Sequence, residues 1–420
     1  MFNLTSAAES IFLKALGGLT KGHLEITNRG VTHEFGSNDD ALRAVITVHD
    51  ARFFRRALFD GDIGIGESYM AGEWTSPDVG NVIRLAVRNL DHLETSNSWF
   101  SAFTRAGNRI QHMLKSNTVT RSKQNIEAHY DLSNEFFGLF LDDSMMYSCG
   151  WFDSASDSLE RAQFNKLEKI CRKLQLQEGD RVLEIGTGWG GFALHAASKY
   201  GAHVTTTTIS RQQYDFAARR FHDFDPAGER IHLLMDDYRK LKGNYDKIVS
   251  IEMFEAVGLD YYDEFFSTCD RLLNPDGAML MQTITMLDQK FPAYHRSSDW
   301  IQKYIFPGGE LASMAEILKS TSRATRLALF NAEDMGLHYA RTLDEWRGRF
   351  MRNLGAVRNL GFDEKFTRMW EFYLAYCEGA FLERHVSTTQ LMFTKAYSGR
   401  VLSGEEFRME LARAMASRRS

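Results

Sequence analysis

Glu184 and the glycines at 186, 188, 190 and 191 carry the spacing of a nucleotide cradle. The run Val182-Leu183-Glu184-Ile185-Gly186-Thr187-Gly188-Trp189-Gly190-Gly191 reads as a buried strand that breaks into a glycine-rich turn, and Phe192-Ala193-Leu194 continue it as a helix. Glycine there lets the backbone turn sharply and come close to a ligand where a Cβ would clash. Gly186, Gly188 and Gly191 also satisfy G-x-G-x-x-G, which makes a nicotinamide or flavin dinucleotide the rival ligand. A tight turn with no ligand is the bland alternative.

Two features favour S-adenosylmethionine. Glu184 stands two residues before the first glycine, and the stretch resembles the E/D-x-G-x-G-x-G pattern of class I methyltransferases. That resemblance implies a carboxylate that helps fix the loop and the amino-acid end of the cofactor. A dinucleotide fold usually places an acid about 20 residues further on, for the ribose hydroxyl. Here His203 to Ile209 reads HVTTTTI and runs into Ser210.

The elements that must hold this turn alternate as a doubly wound sheet requires. Strands are expected at Arg181–Ile185, His203–Ile209, Ile231–Met235, Tyr245–Ile251 and Ala278–Thr285, with helices at Arg211–Phe221 and Tyr261–Leu273. Asn274-Pro275-Asp276-Gly277 is expected to stop the second helix. Ligands bind beyond the carboxyl ends of such strands, which groups the Gly186 turn with Thr208, Asp236, Tyr238, Glu255 and Gln282. The first 90 residues differ in texture. Short alternating pieces at His23–Thr27 and Ala44–Val48, with a glycine-punctuated turn at Gly61–Glu67, suggest a small α+β domain. Asn89 to Thr120 reads as a helical linker bearing Arg105, Arg109 and Lys115, with Arg121 and Lys123 beyond. These are either a solvated face or a contact for anionic lipid head groups.

Composition sets the outer bounds. The 420 residues are 44% hydrophobic and 25% charged, enough for one large domain and a smaller one. A net charge of −5 gives no global basic field for nucleic acid. Cys149, Cys171, Cys269 and Cys377 show no C-x-x-C spacing, which fits a reducing cytosol and no metal site. No apolar run reaches the length of a membrane span.

Four further segments carry a family resemblance: Ala128-His129-Tyr130-Asp131-Leu132-Ser133-Asn134-Glu135-Phe136-Phe137; Met146-Tyr147-Ser148-Cys149; Met253-Phe254-Glu255-Ala256-Val257-Gly258; and Tyr304-Ile305-Phe306-Pro307-Gly308-Gly309. Together they resemble the signature segments of cyclopropane-fatty-acyl-phospholipid synthases, relatives of the mycolic acid cyclopropane synthases, from about Ile126 to Phe393. The resemblance implies a class I methyltransferase fold with a doubly wound sheet, a helical lid and a small amino-terminal α+β domain. Expected domains are residues 1–90, lipid-associated; 91–124, a helical basic linker; and 125–420, catalytic.

By matching positions, Tyr147, Ser148, Glu184, Gly186, Gly188, Gly190, Thr208, Gln213, Asp236 and Tyr238 would hold S-adenosylmethionine. The implied reaction adds its methyl carbon across the cis double bond of a phospholipid acyl chain. A lipid carbocation must then lose a proton from the new methyl as the ring closes. In the family the base is a bound bicarbonate. Its holders here would be Glu255, Tyr339, Gln282 and backbone groups of Cys149 and Ile284. One position departs from the commonest pattern. Many bacterial members carry histidine in an L-H-T-I stretch, where this chain has Met281-Gln282-Thr283-Ile284. Glutamine can still donate to an anion but cannot take up a proton near neutrality. Members with glutamine include plant-type enzymes that share the E-A-V-G segment and the R-S-S-D-x-I segment found here at Arg296.

The expected product is therefore a cyclopropane phospholipid, with a methyl-branched or methylene lipid, or an inactive lipid-binding protein, as alternatives. The implied setting is cytoplasmic and peripheral at the inner face of the membrane, with an unsaturated phospholipid as partner, no nucleic acid, and a homodimer as the oligomer to consider. Several residues keep two readings. Cys377 shares an apolar helix face with Phe366, Trp370, Tyr373 and Phe381, which favours packing over a nucleophilic role. His129 is either catalytic or a backbone-bonding residue of a lid segment. Asp236 is a cap or an adenine ligand. Glu255 beyond a buried strand favours function, because an unpartnered carboxylate there would be costly; Tyr339 divides evenly between function and core. The aromatic segments Phe291–Pro307 and Phe136–Phe140 are either membrane-dipping lids near Arg296 and Lys303 or packed ones.

Overall fold

The computed structural model describes residues 4–96, 132–224, 226–395 and 415. Its chain contacts divide it into two bodies: residues 1–143, 284–313 and 335–388, and residues 144–283, 314–334 and 389–420. The basic side chains from Arg105 to Lys123, and His129, lie outside the described residues.

In the first body, β1 (His23–Asn28), β2 (Val31–Gly36), β3 (Arg43–Val48) and β4 (Trp74–Thr75) form a sheet in the order β2-β1-β3-β4. β1 turns into β2 through Arg29 and Gly30, both at positive φ (50° and 81°), the two-residue geometry that matches the twist of paired strands. Leu24, Ile26, Ala44, Ile46 and Val48 are buried and alternate with more exposed neighbours along β1 and β3.

The expected glycine turn is confined to Gly61 (φ 58°, ψ −133°), a non-helical kink where two helical segments within Arg52–Met70 meet; the residues after it, through Glu67, are helical. Gly61 supplies the positive φ of the kink, whereas Gly64 and Gly66 serve close packing: a Cβ on Gly66 would sit 2.3 Å from Trp300 Nε1.

Both candidate lids are packed. Trp300 is fully buried and its amide donates to Asp62 at 3.1 Å, while Lys303 and Tyr304 each reach Glu67 at 2.6 Å. Phe136, Phe137 and Phe140 are fully buried, and Phe136 meets Phe350, Phe366 and Trp370 edge-on. Neither segment offers the exposed rings that dipping into a bilayer requires. Trp370 in turn stacks on Phe366 at 5.7 Å and meets Tyr373 at 5.2 Å, along the helix Glu364–Leu382 that carries Cys377. Desolvation, helped by the Asp299 carboxylate, holds the Cys377 thiol well above its ordinary pKa.

The second body carries most of a larger sheet: β5 (Arg181–Ile185), β6 (His203–Thr207), β7 (Ile231–Leu234), β8 (Tyr245–Ile251), β9 (Leu273–Met286), β11 (Leu327–Asp334) and β12 (Val386–Lys395). Its order is β11-β12-β9-β8-β5-β6-β7, with the short β10 (Ala312–Ser313) beside the end of β9. β5 pairs in parallel with β6 on one side and β8 on the other, so the winding reverses at β5 and opens a crevice at its carboxyl end. This is the doubly wound α/β sheet expected of a class I methyltransferase.

Two boundaries differ from the sequence expectation for local reasons. β6 ends at Thr207 because the chain turns to cap the next helix: Thr208 Oγ1 accepts the Ser210 amide, and Ser210 Oγ accepts the Gln213 amide. Asn274–Gly277 does not separate helix from strand. It is a bulge inside β9, whose partners on β8 jump from Tyr245↔Leu273 to Lys247↔Ala278. Around β5, Val182, Phe192, Ala193, Ala196, Val204, Ala217, Val249 and Leu280 form a closed core that fixes where the Gly186 turn emerges. Among the described residues no helix is long and apolar enough to cross a membrane.

Candidate active site

The turn after β5 is braced from below. The amides of Gly186 and Thr187 both donate to the Thr207 carbonyl, at 3.1 and 3.0 Å. Gly190 (φ 86°) caps the helix Gly191–Tyr200, and a Cβ on it would strike the Phe221 ring at 2.6 Å. Gly188 (φ 52°) differs: a Cβ there would meet nothing within 4 Å. The turn thus packs tightly on the protein side and opens at Gly188, the shape of a cradle.

Glu184 lies under this turn, 3% exposed. Thr206 Oγ1 donates to its Oε2 at 2.6 Å. With its proton spent there, Thr206 must accept from Thr187 Oγ1 at 2.7 Å. Desolvation dominates over that hydrogen bond and pushes the Glu184 carboxyl up to about 8.

The other expected cofactor residues sit around the same strand ends. Thr208 Oγ1 donates to Gln213 Oε1 at 2.9 Å, which turns the Gln213 amide group outward as a donor. Asp236 is exposed, and its backbone carbonyl accepts the Thr207 hydroxyl. The adjacent Asp237 is the buried acid. Burial alone would raise its carboxyl, but hydrogen bonds from Arg239 at 2.7 and 2.8 Å hold it below the ordinary range. Tyr238 packs edge-on against Phe265 at 5.5 Å, and burial raises its hydroxyl pKa. Ser148 is buried and accepts from the fully buried Lys166 Nζ at 2.7 Å, while Gln163 Nε2 holds the Ser148 carbonyl at 2.9 Å. Tyr147, next to it, is half-buried. Lys166 and Gln163 had no sequence signal beyond their place on the amphipathic helix Leu159–Lys173.

A second constellation begins where β8 ends. Glu252 has φ 48°, an uncommon backbone state for a residue with a side chain. Its Oε1 accepts the Cys149 amide at 2.9 Å and Gln282 Nε2 at 2.8 Å. Gln282 is fully buried, and its Oε1 accepts Gln390 Nε2 at 3.0 Å; Gln390 Oε1 in turn accepts Lys173 Nζ at 2.6 Å. Ammonium can only donate and carboxylate only accept, so the ends of this chain set both amide orientations. Lys173 also pairs with Glu333 at 2.5 Å, and burial brings its ammonium pKa below the ordinary value. Thr283 Oγ1 donates to Glu255 Oε1 at 3.0 Å. The two constellations adjoin, since a Cβ on Gly186 would lie 3.0 Å from the Met253 side chain.

Cys149, Gln282 and Glu255 therefore belong to one body, and Glu252 joins them. Tyr339 and Ile284 belong to the first body. There Tyr339 is 6% exposed on the helix Gly336–Arg352, with its ring 4.5 Å from Phe381. Among the described residues no group of three or more His, Cys, Asp or Glu is placed to hold a metal ion.

A family model for mycolic acid cyclopropane synthetase matches residues 116–391. The chain belongs to this family. It is 39% identical over 344 residues to the tuberculostearic acid methyltransferase UfaA1 of Mycobacterium tuberculosis, covering 80% of this chain and 79% of that one. It is 36% identical over 366 residues to the cyclopropane-fatty-acyl-phospholipid synthase of Escherichia coli K12, covering 84% and 88%. Among solved structures, mycolic acid cyclopropane synthase CmaA1, complexed with SAH and CTAB, superposes with a TM-score of 0.61 at 32% identity. That match covers 65% of this chain and 98% of the other.

This member of the cyclopropane synthase family is an S-adenosylmethionine-dependent methyltransferase, and its residues fit that cofactor. The space before Gly188 admits a ligand against backbone, and Gln213 and Thr208 offer neutral polar groups. Bicarbonate fits less well. The Cys149 amide and the Gln282 side-chain amide, two of the donors expected to hold it, already end on the Glu252 carboxylate.

Proposed function

We propose that this enzyme converts a cis double bond in a phospholipid acyl chain into a cyclopropane ring. Bound S-adenosylmethionine supplies an electrophilic methyl. The double bond's electron pair takes that carbon as its bond to sulfur breaks, and a carbocation remains on the lipid. The protein must then exclude water, stabilise the cation and accept one proton. The observation that carries this reading is the adjacency of the Gly188 cradle and a wall bearing two carboxylates, Glu252 and Glu255, joined through the Gly186 and Met253 contact. Glu255, set by Thr283, is suited to stabilise the positive charge. No step is assigned to bicarbonate. Tyr147, Ser148, Glu184, Thr208, Gln213, Asp236 and Tyr238 are the proposed cofactor residues.

A phospholipid substrate places the enzyme on a membrane surface, with residues 1–90 as the lipid-associated part, joined by 91–124 to a catalytic part, 125–420. A cytoplasmic, peripheral setting and a homodimer belong to the same proposal. The decisive test is incubation with S-adenosylmethionine and vesicles of cis-monounsaturated phospholipid, followed by mass spectrometry and proton NMR of the acyl chains. Gain of one CH₂ with upfield ring protons supports the proposal. Gain with methyl or methylene signals selects the second reading, a fatty-acyl C-methyltransferase, which the likeness to a tuberculostearic acid methyltransferase favours. No gain points to lipid binding without catalysis.

A further inference from the structure

We infer that Glu252 is this enzyme's built-in proton acceptor, a carboxylate tethered where a free anion was expected to bind. Three independent features meet at this residue. It stands directly after β8, at the carboxyl end of a central strand and beside the residue that faces the Gly186 turn. Its backbone is held at φ 48°, and such outliers persist where the surrounding structure enforces them, commonly at functional sites. Its Oε1 receives two N–H donors, from Cys149 and Gln282, and the latter is aimed by a relay that begins at the Lys173 ammonium. Both donors end on Oε1, so the carboxylate is held in one orientation and its oxygen lone pairs are where a proton can be accepted.

The relay also accounts for glutamine at position 282. A neutral histidine could also accept on one nitrogen and donate from the other, but an amide accepts from Gln390 and donates to Glu252 without gaining or losing a proton near neutrality.

The step presupposes the ring-forming reaction proposed for this site. One C–H bond of the newly attached methyl breaks, its electron pair forms the third carbon–carbon bond of the ring and neutralises the cation, and the proton passes to Glu252. The neutral carboxyl then returns that proton to solvent through its half-exposed side.

The test compares wild type with Glu252→Gly and Glu252→Gln, using bicarbonate itself as the probe. Glycine tolerates positive φ, so the first variant is expected to fold; circular dichroism and calorimetric binding of S-adenosylmethionine check this. In CO₂-depleted buffer the wild type should keep its full rate, and both variants should lose about 100-fold or more in kcat. Added bicarbonate should restore Glu252→Gly and leave wild type and Glu252→Gln unchanged. A ¹³C-bicarbonate NMR titration needs no turnover: saturable binding is expected to Glu252→Gly and not to wild type. Saturable binding to wild type, stimulation of wild type by bicarbonate, or a fully active Glu252→Gly in depleted buffer overturns the inference. If wild type makes no lipid product, the proposed function fails, and the NMR titration still decides whether Glu252 fills the anion position.

Discussion

Gln282 and Gln390 bind each other through a single 3.0 Å hydrogen bond, 108 residues apart in the chain, and this bond fixes which way both amides point. Lys173 can only donate to Gln390, so Gln390 must donate to Gln282, and Gln282 to Glu252.

Replacing Gln390 by leucine leaves the Gln282 carbonyl oxygen buried without its donor. The expected cost is about 1–3 kcal/mol of stability, measured by urea denaturation. The kcat should fall while S-adenosylmethionine affinity holds, because the relay orients Glu252 and does not line the Gly188 cradle. An unchanged kcat would show that the relay is only structural.

Glycine positions 188 and 190 should separate binding from folding. Gly190→Ala drives a Cβ into the Phe221 ring at 2.6 Å and should lower the melting temperature. Gly188→Val meets no protein atom near its Cβ, so the chain should fold, with a left-handed backbone penalty of roughly 1–2 kcal/mol. Calorimetry should nevertheless find S-adenosylmethionine binding lost. Retained affinity would move the cofactor away from this turn.

The methyltransferase half was legible because its signals are local. Buried apolar runs gave β5 and β8 at their observed bounds, and the Glu184-to-Gly191 spacing marked the turn between strand and helix. Glu252 escaped notice because an acid at the end of a strand, three residues before another, carries no pattern of its own. Its meaning comes from Cys149, Gln282, Gln390 and Lys173, which only the fold brings together. The stretch Gly61–Glu67 was half legible. Its turn signal is realised at Gly61, where the chain kinks, but Gly66 lies within a helix, where close packing against Trp300 requires a small residue. β11 and β12 were missed because long helical stretches separate them from β9 and from each other, and the two pair antiparallel.

Cys377 should be dispensable for catalysis. Its thiol is held high by burial and the nearby Asp299, so little thiolate exists near neutrality. Cys377→Ala is expected to retain product formation, and the wild-type residue to resist iodoacetamide at pH 7 by mass spectrometry. Rapid alkylation that also stops turnover would reopen a nucleophilic role.

Glu255→Gln should reduce product formation without loss of S-adenosylmethionine binding, since the role proposed for its carboxylate, held by Thr283, is to stabilise positive charge on the lipid. Unlike Glu252→Gly, it should not respond to added bicarbonate. Equal loss of cofactor affinity by calorimetry would instead place Glu255 among the cofactor ligands.

Glu184 makes stability depend on pH with a definite sign. Its folded pKa is pushed up to about 8 from an ordinary 4.5, so above pH 4.5 the folded state keeps a proton that the unfolded chain has released. The contribution to stability is complete below pH 4.5 and is lost progressively as pH rises through about 8. Glu184→Gln lacks this titration and can still accept the Thr206 hydroxyl through its carbonyl. Urea denaturation without ligand should therefore show wild type losing ground to Glu184→Gln between pH 5 and 8, by on the order of a few kcal/mol. S-adenosylmethionine brings a positive charge that favours the carboxylate. Binding should release a proton from wild type near neutrality and none from the variant, read from calorimetry in buffers of different ionisation enthalpy. A flat pH difference between the two proteins would mean that Glu184 is already ionised beneath the turn.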